Sequence, residues 1–268
     1  MILVNGIATE QVFARDRGLM YGDGVFRTLV MRNGRINSWK RHYAKLNADC
    51  SVLNISCPEE VVFLRDLSMI SQNYGDGVLR ITVTRGESGR GYAIKLNNPV
   101  TRIVSLSDLP HIESSILTEG VCARWCKMQL GLQPRLAGLK HLNRLENVMA
   151  RLEWQDPSIF EGLMCDVRGY VIEGVSSNIV VRQGDDFYTP DLSSSGVAGV
   201  QRDRLMDYVH RGIKVVQILP DMLLDADEVM ICNSVIGLLQ VRELEGRSWS
   251  KGEATQELRH LLEAEDEA

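Results

Sequence analysis

Two Asn-Gly pairs, each preceded by a run of apolar and β-branched residues, constrain the fold of the first third of the chain. Asn5–Gly6 follows Ile2–Val4, and Asn33–Gly34 follows the longer run Val25–Met31. Asn-Gly suits the positive φ angles of a two-residue hairpin turn, so each pair predicts two antiparallel strands. The chain is therefore expected to open with an antiparallel sheet.

Helical spacing begins after the second hairpin. Apolar residues then recur on one helical face, at Trp39, Tyr43, Leu46, Cys50 and Leu53. Ser38 is suited to cap this helix, and Pro58 is suited to open a second one. Strand patterns return at 79–84 and 102–106. These elements predict a small α/β domain over residues 1–108.

A second, larger domain is predicted over residues 119–268, after a linker at 109–118 that shows no periodicity. Its predicted strands lie near 121–125, 162–167, 177–181, 214–219 and 229–232. Its predicted helices lie near 142–154, 199–209 and 253–262. The mixture of strands and helices places the whole chain in the α/β (α+β) class.

Composition argues against several classes of protein. The 44% of hydrophobic and 24% of charged residues are typical of a globular protein, and the net charge of -5 disfavours a broad nucleic-acid surface. No apolar run reaches the roughly 18 residues of a membrane span, and the first residues lack the basic region of a signal peptide. The scattered cysteines indicate core thiols in a reducing cytoplasm rather than a metal site.

Lys140 is the main candidate for a reactive side chain. It follows the uncharged run Leu136–Leu139, and apolar residues at helical spacing come after it. Partial desolvation beside apolar groups favours the neutral amine, which forms Schiff bases with carbonyl compounds such as pyridoxal 5'-phosphate (PLP). The competing interpretation is a surface lysine before an ordinary amphipathic helix.

Two further segments carry groups that suit such a cofactor. His42 and Lys45 share a face of the first long helix and could offer a cation to a phosphate, although a solvated basic face is the simpler interpretation. Glu173 ends a strand-like run and could pair with a protonated pyridine nitrogen. Alternatively, Glu173 is an exposed residue of a turn between two strands.

Two turns suit an anion. Ser195–Arg202 is a glycine-containing loop that opens a helix, where backbone N–H groups and the helix dipole favour a phosphate. Asn233 and Ser234 follow a strand and could donate to the same anion. Each signal is weak alone, but together they supply a lysine, a carboxylate and two phosphate-binding turns.

The order of these segments resembles that of the class IV pyridoxal-phosphate enzymes, the D-amino-acid and branched-chain aminotransferase-like family. The resemblance covers nearly the whole chain and rests on Tyr21–Phe26, the helix with His42 and Lys45, Arg85–Tyr92, Lys140–Glu146, Glu173–Asn178, Gly199–Val200 and Cys232–Ser234. The segments Lys140–Leu145 and Arg85–Tyr92 resemble a lyase branch of the family rather than its transaminases.

This resemblance implies a fold and a set of roles. A small α/β domain and a larger domain with a pseudo-barrel sheet would bind PLP, near the interface of a homodimer. Lys140 would hold PLP covalently, and Glu173 would pair with its ring nitrogen. The other cofactor contacts would come from Lys45, Asn178, Gly199, Val200, Asn233 and Ser234. Lys45 departs from the family pattern, which has an arginine there, so the two-pronged phosphate contact is lost.

The lyase branch implies one reaction on a small-molecule substrate. It cleaves 4-amino-4-deoxychorismate to 4-aminobenzoate and pyruvate, for folate biosynthesis. The alternative is an aminotransferase acting on D-amino or branched-chain amino acids. Because the lyase substrate is a dicarboxylate, the candidate substrate residues are Arg27, Arg85, Arg90 and Tyr92.

Overall fold

The computed structural model describes residues 1–94, 98–209 and 212–267. These residues form two compact units, each with its own sheet and core. The first unit contains Met1–Pro110 together with Lys140–Asn143. The second unit contains His111–Leu139 together with Arg144–Ala268.

The first unit is built on a six-stranded antiparallel sheet in the order β2-β1-β6-β5-β3-β4. The strands are β1 (Ile2–Val4), β2 (Ile7–Ala8), β3 (Gly24–Arg32), β4 (Arg35–Ile36), β5 (Gly77–Thr84) and β6 (Thr101–Ser107). The helices are α1 (Arg17–Tyr21), α2 (Trp39–Val52) and α3 (Glu60–Ser71). Apolar residues of α2 and α3 pack with those of the strands in one core, which includes Leu46, Phe63 and Leu79.

Both predicted hairpins are confirmed. Asn5–Gly6 joins β1 to β2, and Asn33–Gly34 joins β3 to β4. All four turn residues have positive φ, from 50° to 84°, as a two-residue turn requires. The prediction that Ser38 caps α2 was wrong: Ser38 has φ 53°, and within the described chain its side chain makes no cap hydrogen bond. Capping needs an extended backbone at this position.

The second unit contains a nine-stranded mixed sheet, curled into a half-barrel, in the order β12-β11-β10-β13-β14-β7-β8-β9 with β15 paired to β14. The strands are β7 (Val121–Trp125), β8 (Ile159–Cys165), β9 (Val171–Gly174), β10 (Asn178–Gln183), β11 (Asp186–Pro190), β12 (Ile213–Val216), β13 (Glu228–Asn233), β14 (Gly237–Leu244) and β15 (Arg247–Ser248). The pairs β11–β12, β14–β7 and β7–β8 are parallel. This arrangement confirms the predicted fold class.

The helices of the second unit are α4 (Ser114–Glu119), α5 (Leu145–Arg151), α6 (Val200–Tyr208), α7 (Pro220–Leu224) and α8 (Glu253–Glu267). Helix α4 occupies part of the stretch 109–118, for which the sequence predicts a linker. None of the helices in the described ranges is long and apolar enough to cross a membrane.

The region after Lys140 differs from the predicted helix near 142–154. Residues 140–142 are extended along the start of β3, and α5 begins only at Leu145. Four of the apolar residues whose spacing predicted one helical face are exposed: Leu145 71%, Val148 53%, Met149 48% and Leu152 62%. Periodicity identified a helix with an apolar face, but it did not show what that face contacts.

Candidate active site

The backbone around Lys140 is fixed by the first strand of the hairpin that precedes α2. The N–H of Phe26 donates to the carbonyl of Lys140 at 2.9 Å, and the N–H of Leu142 donates to the carbonyl of Gly24 at 3.0 Å. This close approach requires a glycine, because a Cβ on residue 24 would lie 2.8 Å from Cδ1 of Leu142 and 2.6 Å from the carbonyl oxygen of Val83. The Gly24–Phe26 part of the Tyr21–Phe26 motif therefore holds the backbone of Lys140 in place.

The side chain of Lys140 is half-buried, and its Nζ lies 4.8 Å from the centroid of the Phe26 ring. The ring shields one side of the amine from water and attracts its charged form. This setting differs from that of an ordinary surface lysine, which was the competing interpretation.

Asp49 connects α2 to this segment. Its carboxylate accepts a hydrogen bond from the N–H of Lys140 at 3.1 Å and forms an ion pair with the buried guanidinium of Arg27. Burial raises the pKa of Asp49. The charges of Arg27 and Lys45 and the N–H of Lys140 lower it, but burial outweighs them. Arg27, Lys45, Asp49 and Lys140 therefore form one group, here called the Lys140 cluster.

Sequence reasoning missed Asp49. The residue lies four positions after Lys45, so both side chains lie on one face of α2, together with the buried His42. That spacing was the available signal. A polar residue in a helix is most often exposed, however, and the sequence does not show that Arg27 of the neighbouring strand needs a partner.

Arg85, a candidate substrate residue, makes four hydrogen bonds within the first unit. Its Nε and Nη2 donate to the carboxylate of Asp23 at 2.8 and 2.9 Å, and its Nη1 and Nη2 donate to the carbonyls of Asn54 and Leu53 at 2.7 Å. Burial would raise the pKa of Asp23, but hydrogen bonds from Arg85 and Arg17 outweigh it, so that pKa is lowered. Arg85 thus holds the base of its loop.

The rest of this loop carries more accessible candidates. Arg90 is exposed, and Tyr92 is 86% exposed with its ring centroid 5.5 Å from that of Tyr21. Arg17 fastens the loop, because its Nη1 donates to Oγ of Ser88 at 2.9 Å and to the carbonyl of Gly91 at 3.0 Å. The loop therefore presents an arginine and a tyrosine on a fixed base.

Glu173 lies in the second unit, on the buried strand β9, and is 3% exposed. Its Oε2 accepts a hydrogen bond from the N–H of Val197 at 2.8 Å. The guanidinium of Arg144 lies within electrostatic reach: burial lowers the pKa of Arg144, while the charges of Glu173 and Glu146 raise it. Glu173 is therefore not the exposed turn residue of the competing interpretation.

Asn178 shapes the loop before α6. Its Nδ2 donates to the carbonyl of Val197 at 2.7 Å, and its Oδ1 accepts from the N–H of Gly199 at 2.9 Å. Helix α6 starts at Val200, and its N-cap residue is Gly199, which has no side chain to cap the first turn. Its leading N–H groups and helix dipole are therefore positioned for an anion. Glu173, Asn178 and the Val197–Val200 segment are called here the Glu173 cluster.

Asn233 and Ser234 lie at the end of β13, as the sequence predicts. The Nδ2 of Asn233 donates to the carbonyl of Ser176 at 3.0 Å, and its Oδ1 accepts from the N–H groups of Val235 and Ile236 at 2.8 and 3.0 Å. Asn233 thus closes the turn that carries the half-buried Ser234.

Two buried polar residues of the second unit were not anticipated. Glu161 on β8 is 3% exposed, its pKa is raised by burial, and it accepts hydrogen bonds from the hydroxyls of Ser176 and Ser177 at 2.8 and 2.9 Å. Ser195 is 6% exposed, and its Oγ has no hydrogen-bond partner among the described residues. Glu161 belongs to no motif, and Ser195 lies in the predicted anion loop Ser195–Arg202, although sequence reasoning assigned its hydroxyl no role. In the described part of the chain, no group of three or more His, Cys, Asp or Glu side chains is suited to a metal ion.

Comparison with known proteins gives the same family as these motifs. The model of the amino-transferase class IV family matches residues 24–244. Aminodeoxychorismate lyase of Vibrio harveyi is 33% identical over 246 residues, 90% of each chain, and D-alanine aminotransferase of Bacillus licheniformis is 29% identical over 94% of this chain and 90% of its own length. The crystal structure of 4-amino-4-deoxychorismate lyase from Pseudomonas aeruginosa is 40% identical, covers 98% of both chains and superposes with a TM-score of 0.93. The protein is a member of the class IV amino-transferase family.

Proposed function

We propose that the protein is a PLP-dependent lyase that converts 4-amino-4-deoxychorismate to 4-aminobenzoate and pyruvate. The observation that carries this proposal is the similarity to two lyases, 33% and 40% identical, over nine-tenths or more of the chain. The Lys140–Leu145 and Arg85–Tyr92 motifs, which resemble the lyase branch, lie within the matched residues.

The residues present fit PLP chemically. The cofactor has an aldehyde, a basic ring nitrogen and a phosphate dianion. The half-buried Lys140 suits the aldehyde, and the buried carboxylate of Glu173 suits a protonated ring nitrogen. The uncapped start of α6 suits the phosphate, and the buried hydroxyl of Ser195, which lacks a partner among the described residues, is consistent with a polar ligand nearby.

We assign the roles residue by residue. Lys140 carries PLP covalently, and Glu173 pairs with its ring nitrogen. Lys45, Ser234 and the N–H of Val200 at the start of α6 bind the phosphate, while Gly199, whose N–H is held by Asn178, positions that start. Asn178 and Asn233 act mainly by shaping the two turns, since both ends of each amide already hold backbone groups.

Bound PLP acts as an electron sink that acidifies the carbon bearing the substrate amine. With PLP bound, the Nζ of Lys140 would be the base that takes the proton from C4 of the substrate, and the bond from the neighbouring ring carbon to the enolpyruvyl oxygen would break. As an ammonium group, Lys140 then donates a proton to the departing enolpyruvyl group, which leaves as pyruvate. Since the product ring becomes aromatic, the protein has mainly to position these groups.

For the two substrate carboxylates, we propose Arg90 and Tyr92 as the direct contacts, since both are exposed at the end of a fastened loop. Arg85 supports this loop through Asp23, and Arg27 supports Lys140 through Asp49. Both buried arginines are paired with carboxylates, so they would act on the substrate indirectly, by holding the loop and Lys140 in place.

We further propose a homodimer in the cytoplasm. The exposed apolar row on α5, formed by Leu145, Val148, Met149 and Leu152, would be covered in such a dimer. The cytoplasmic location is supported by six free cysteines, of which Cys50 and Cys232 are buried.

Product analysis tests the proposed reaction. Aminodeoxychorismate alone should give equal amounts of 4-aminobenzoate and pyruvate over many turnovers. Lys140→Ala should abolish both products, whereas Lys127→Ala should not. After borohydride reduction, peptide mapping should find PLP on Lys140. Failure of the wild-type protein to release 4-aminobenzoate, or PLP on another lysine, would overturn the proposal.

The second candidate is an aminotransferase, which the 29% identity to D-alanine aminotransferase favours. An aminotransferase needs a keto acid to complete its cycle, whereas the lyase does not. If product formation stops after one equivalent and resumes only when a keto acid is added, the aminotransferase assignment replaces the lyase assignment.

A further inference from the structure

We propose that Arg144 is a positioning residue that keeps Glu173 ionised, so that Glu173 can hold a proton on the ring nitrogen of PLP. This inference rests on the proposed PLP-dependent function. Arg144 belongs to the Lys140–Leu145 motif that distinguishes the lyase branch in the sequence, yet none of the roles assigned above uses it.

The fold brings the start of α5 to the end of β9. Arg144 occupies the N-cap position of α5, and Asn147 follows one turn later. The Nδ2 of Asn147 donates to the carbonyl of Val175 at 2.9 Å, two residues beyond Glu173. Residues three apart share a helix face, so the bond from Asn147 places Arg144 on the side of α5 that faces the end of β9.

Burial makes the charge of Glu173 costly without a cation. The residue is 3% exposed, and the N–H of Val197 neutralises only part of its charge. A buried carboxylate without a counter-charge tends to take up a proton. Arg144 supplies that counter-charge, since an arginine stays charged even when it is largely removed from water.

The state of Glu173 determines what it can do for PLP. An ionised carboxylate raises the proton affinity of a ring nitrogen beside it, whereas a protonated one only donates a hydrogen bond. Arg144 would thus act through Glu173 rather than on the substrate, PLP or the reacting atoms. Two other carboxylates are close to this pair: Glu146, which also interacts with Arg144, and Glu161 on β8, beside Gly174.

A double-mutant cycle on the cofactor-free protein tests the pairing. We expect Arg144→Met to raise the equilibrium constant for unfolding in the wild-type background. The same substitution in the Glu173→Gln background should have an effect at least about tenfold smaller. The loss of stability caused by Arg144→Met should grow as the pH rises from about 4.5 to about 7.5, because the unpaired carboxyl group of Glu173 resists ionisation. In the Glu173→Gln background, the loss should hardly change with pH. Arg144→Lys should restore most of the loss, which also guards against a Met variant that fails to fold.

Glu146→Gln is the matched control. Arg144→Met should keep its full effect in that background. If the effects of Arg144→Met and Glu173→Gln are additive, Arg144 contributes only packing and the inference is overturned. If the effect of Arg144→Met disappears in Glu146→Gln, Arg144 pairs with Glu146 instead, which also overturns it.

The PLP-loaded protein gives the second readout. Arg144→Met should displace the pH profile of the cofactor absorbance, and Arg144→Lys should restore it. An unchanged profile would overturn the role of Arg144 toward the ring nitrogen. The two proposals fail differently: absence of PLP binding in the wild type removes the proposed function, while PLP binding with an additive cycle removes only the role of Arg144.

Discussion

The Lys140 cluster and the Glu173 cluster hold their key side chains in different ways. Around Lys140, the anchor is a charged side chain: Asp49 binds the Lys140 N–H and the guanidinium of Arg27. Around Glu173, the anchors are backbone and amide groups, namely the N–H of Val197 and the two ends of Asn178. The first cluster depends on matched buried charges, whereas the Val197–Val200 loop of the second is held by neutral amide groups.

This difference predicts how each cluster responds to substitution. Removing one member of a buried ion pair leaves the other charge desolvated, which costs more than the net value of the pair. Removing an amide leaves neutral donors and acceptors unpaired, which costs less per group. Truncation of Asp49 in the first cluster should therefore be more damaging than truncation of Asn178 in the second.

The largest expected effect is that of Asp49→Ala. It leaves the buried charge of Arg27, which is 2% exposed, without its carboxylate partner, so we expect a loss of about 3–5 kcal/mol in the free energy of unfolding. Asp49→Asn is the matched control, because it keeps an oxygen acceptor for the Lys140 N–H and should lose less. Urea denaturation of the three proteins measures both values. A loss below about 1 kcal/mol for Asp49→Ala would mean that water or another group replaces the carboxylate.

Asn178→Ala should have a smaller effect. It leaves the N–H of Gly199 and the carbonyl of Val197 without their partner, and we expect a loss of about 1–3 kcal/mol. Asn178→Asp keeps an acceptor for Gly199 but loses the donor to Val197, and it should lie between Ala and the wild type. If Asn178→Ala costs more than Asp49→Ala, the proposed contrast between the two clusters is wrong.

The sequence predicted the features that depend on local pattern. The Asn-Gly hairpins, the long helix α2 and the short strand that contains Glu173 follow from turn chemistry and periodicity. Lys140 was chosen for its apolar surroundings, and the structure shows the Phe26 ring beside its amine. The glycines of Tyr21–Phe26 were quoted only as part of a resemblance, and the structure supplies their reason, which is the close approach of Leu142 to Gly24.

The features that depend on long-range pairing could not be predicted. Nothing in the sequence pairs Arg27 with Asp49 or Arg85 with Asp23, since their partners lie 22 and 62 positions away along the chain. The same limit applies to Arg144, whose relation to Glu173 depends on where α5 packs. Periodicity likewise predicted an apolar face on this helix but not its contacts, and four apolar residues of α5 and its end are exposed.

The smallest expected effect concerns Lys45, the cation of the Lys140 cluster at the position where the family has arginine. Its charge faces Asp49 on the same helix, and its side chain is half-buried, so its contribution to phosphate binding should be modest. We expect Lys45→Ala to weaken PLP binding by about fivefold, or about 1 kcal/mol. Lys45→Arg should bind PLP as well as the wild type or better, because the guanidinium restores a two-pronged contact.

Lys40→Ala, on an exposed position of the same helix, is the control and should leave PLP binding unchanged. Equilibrium dialysis of the cofactor-free variants with PLP measures the dissociation constants. If all four proteins bind PLP equally, Lys45 serves only to balance the charge of Asp49, and the phosphate contacts come from the other cluster.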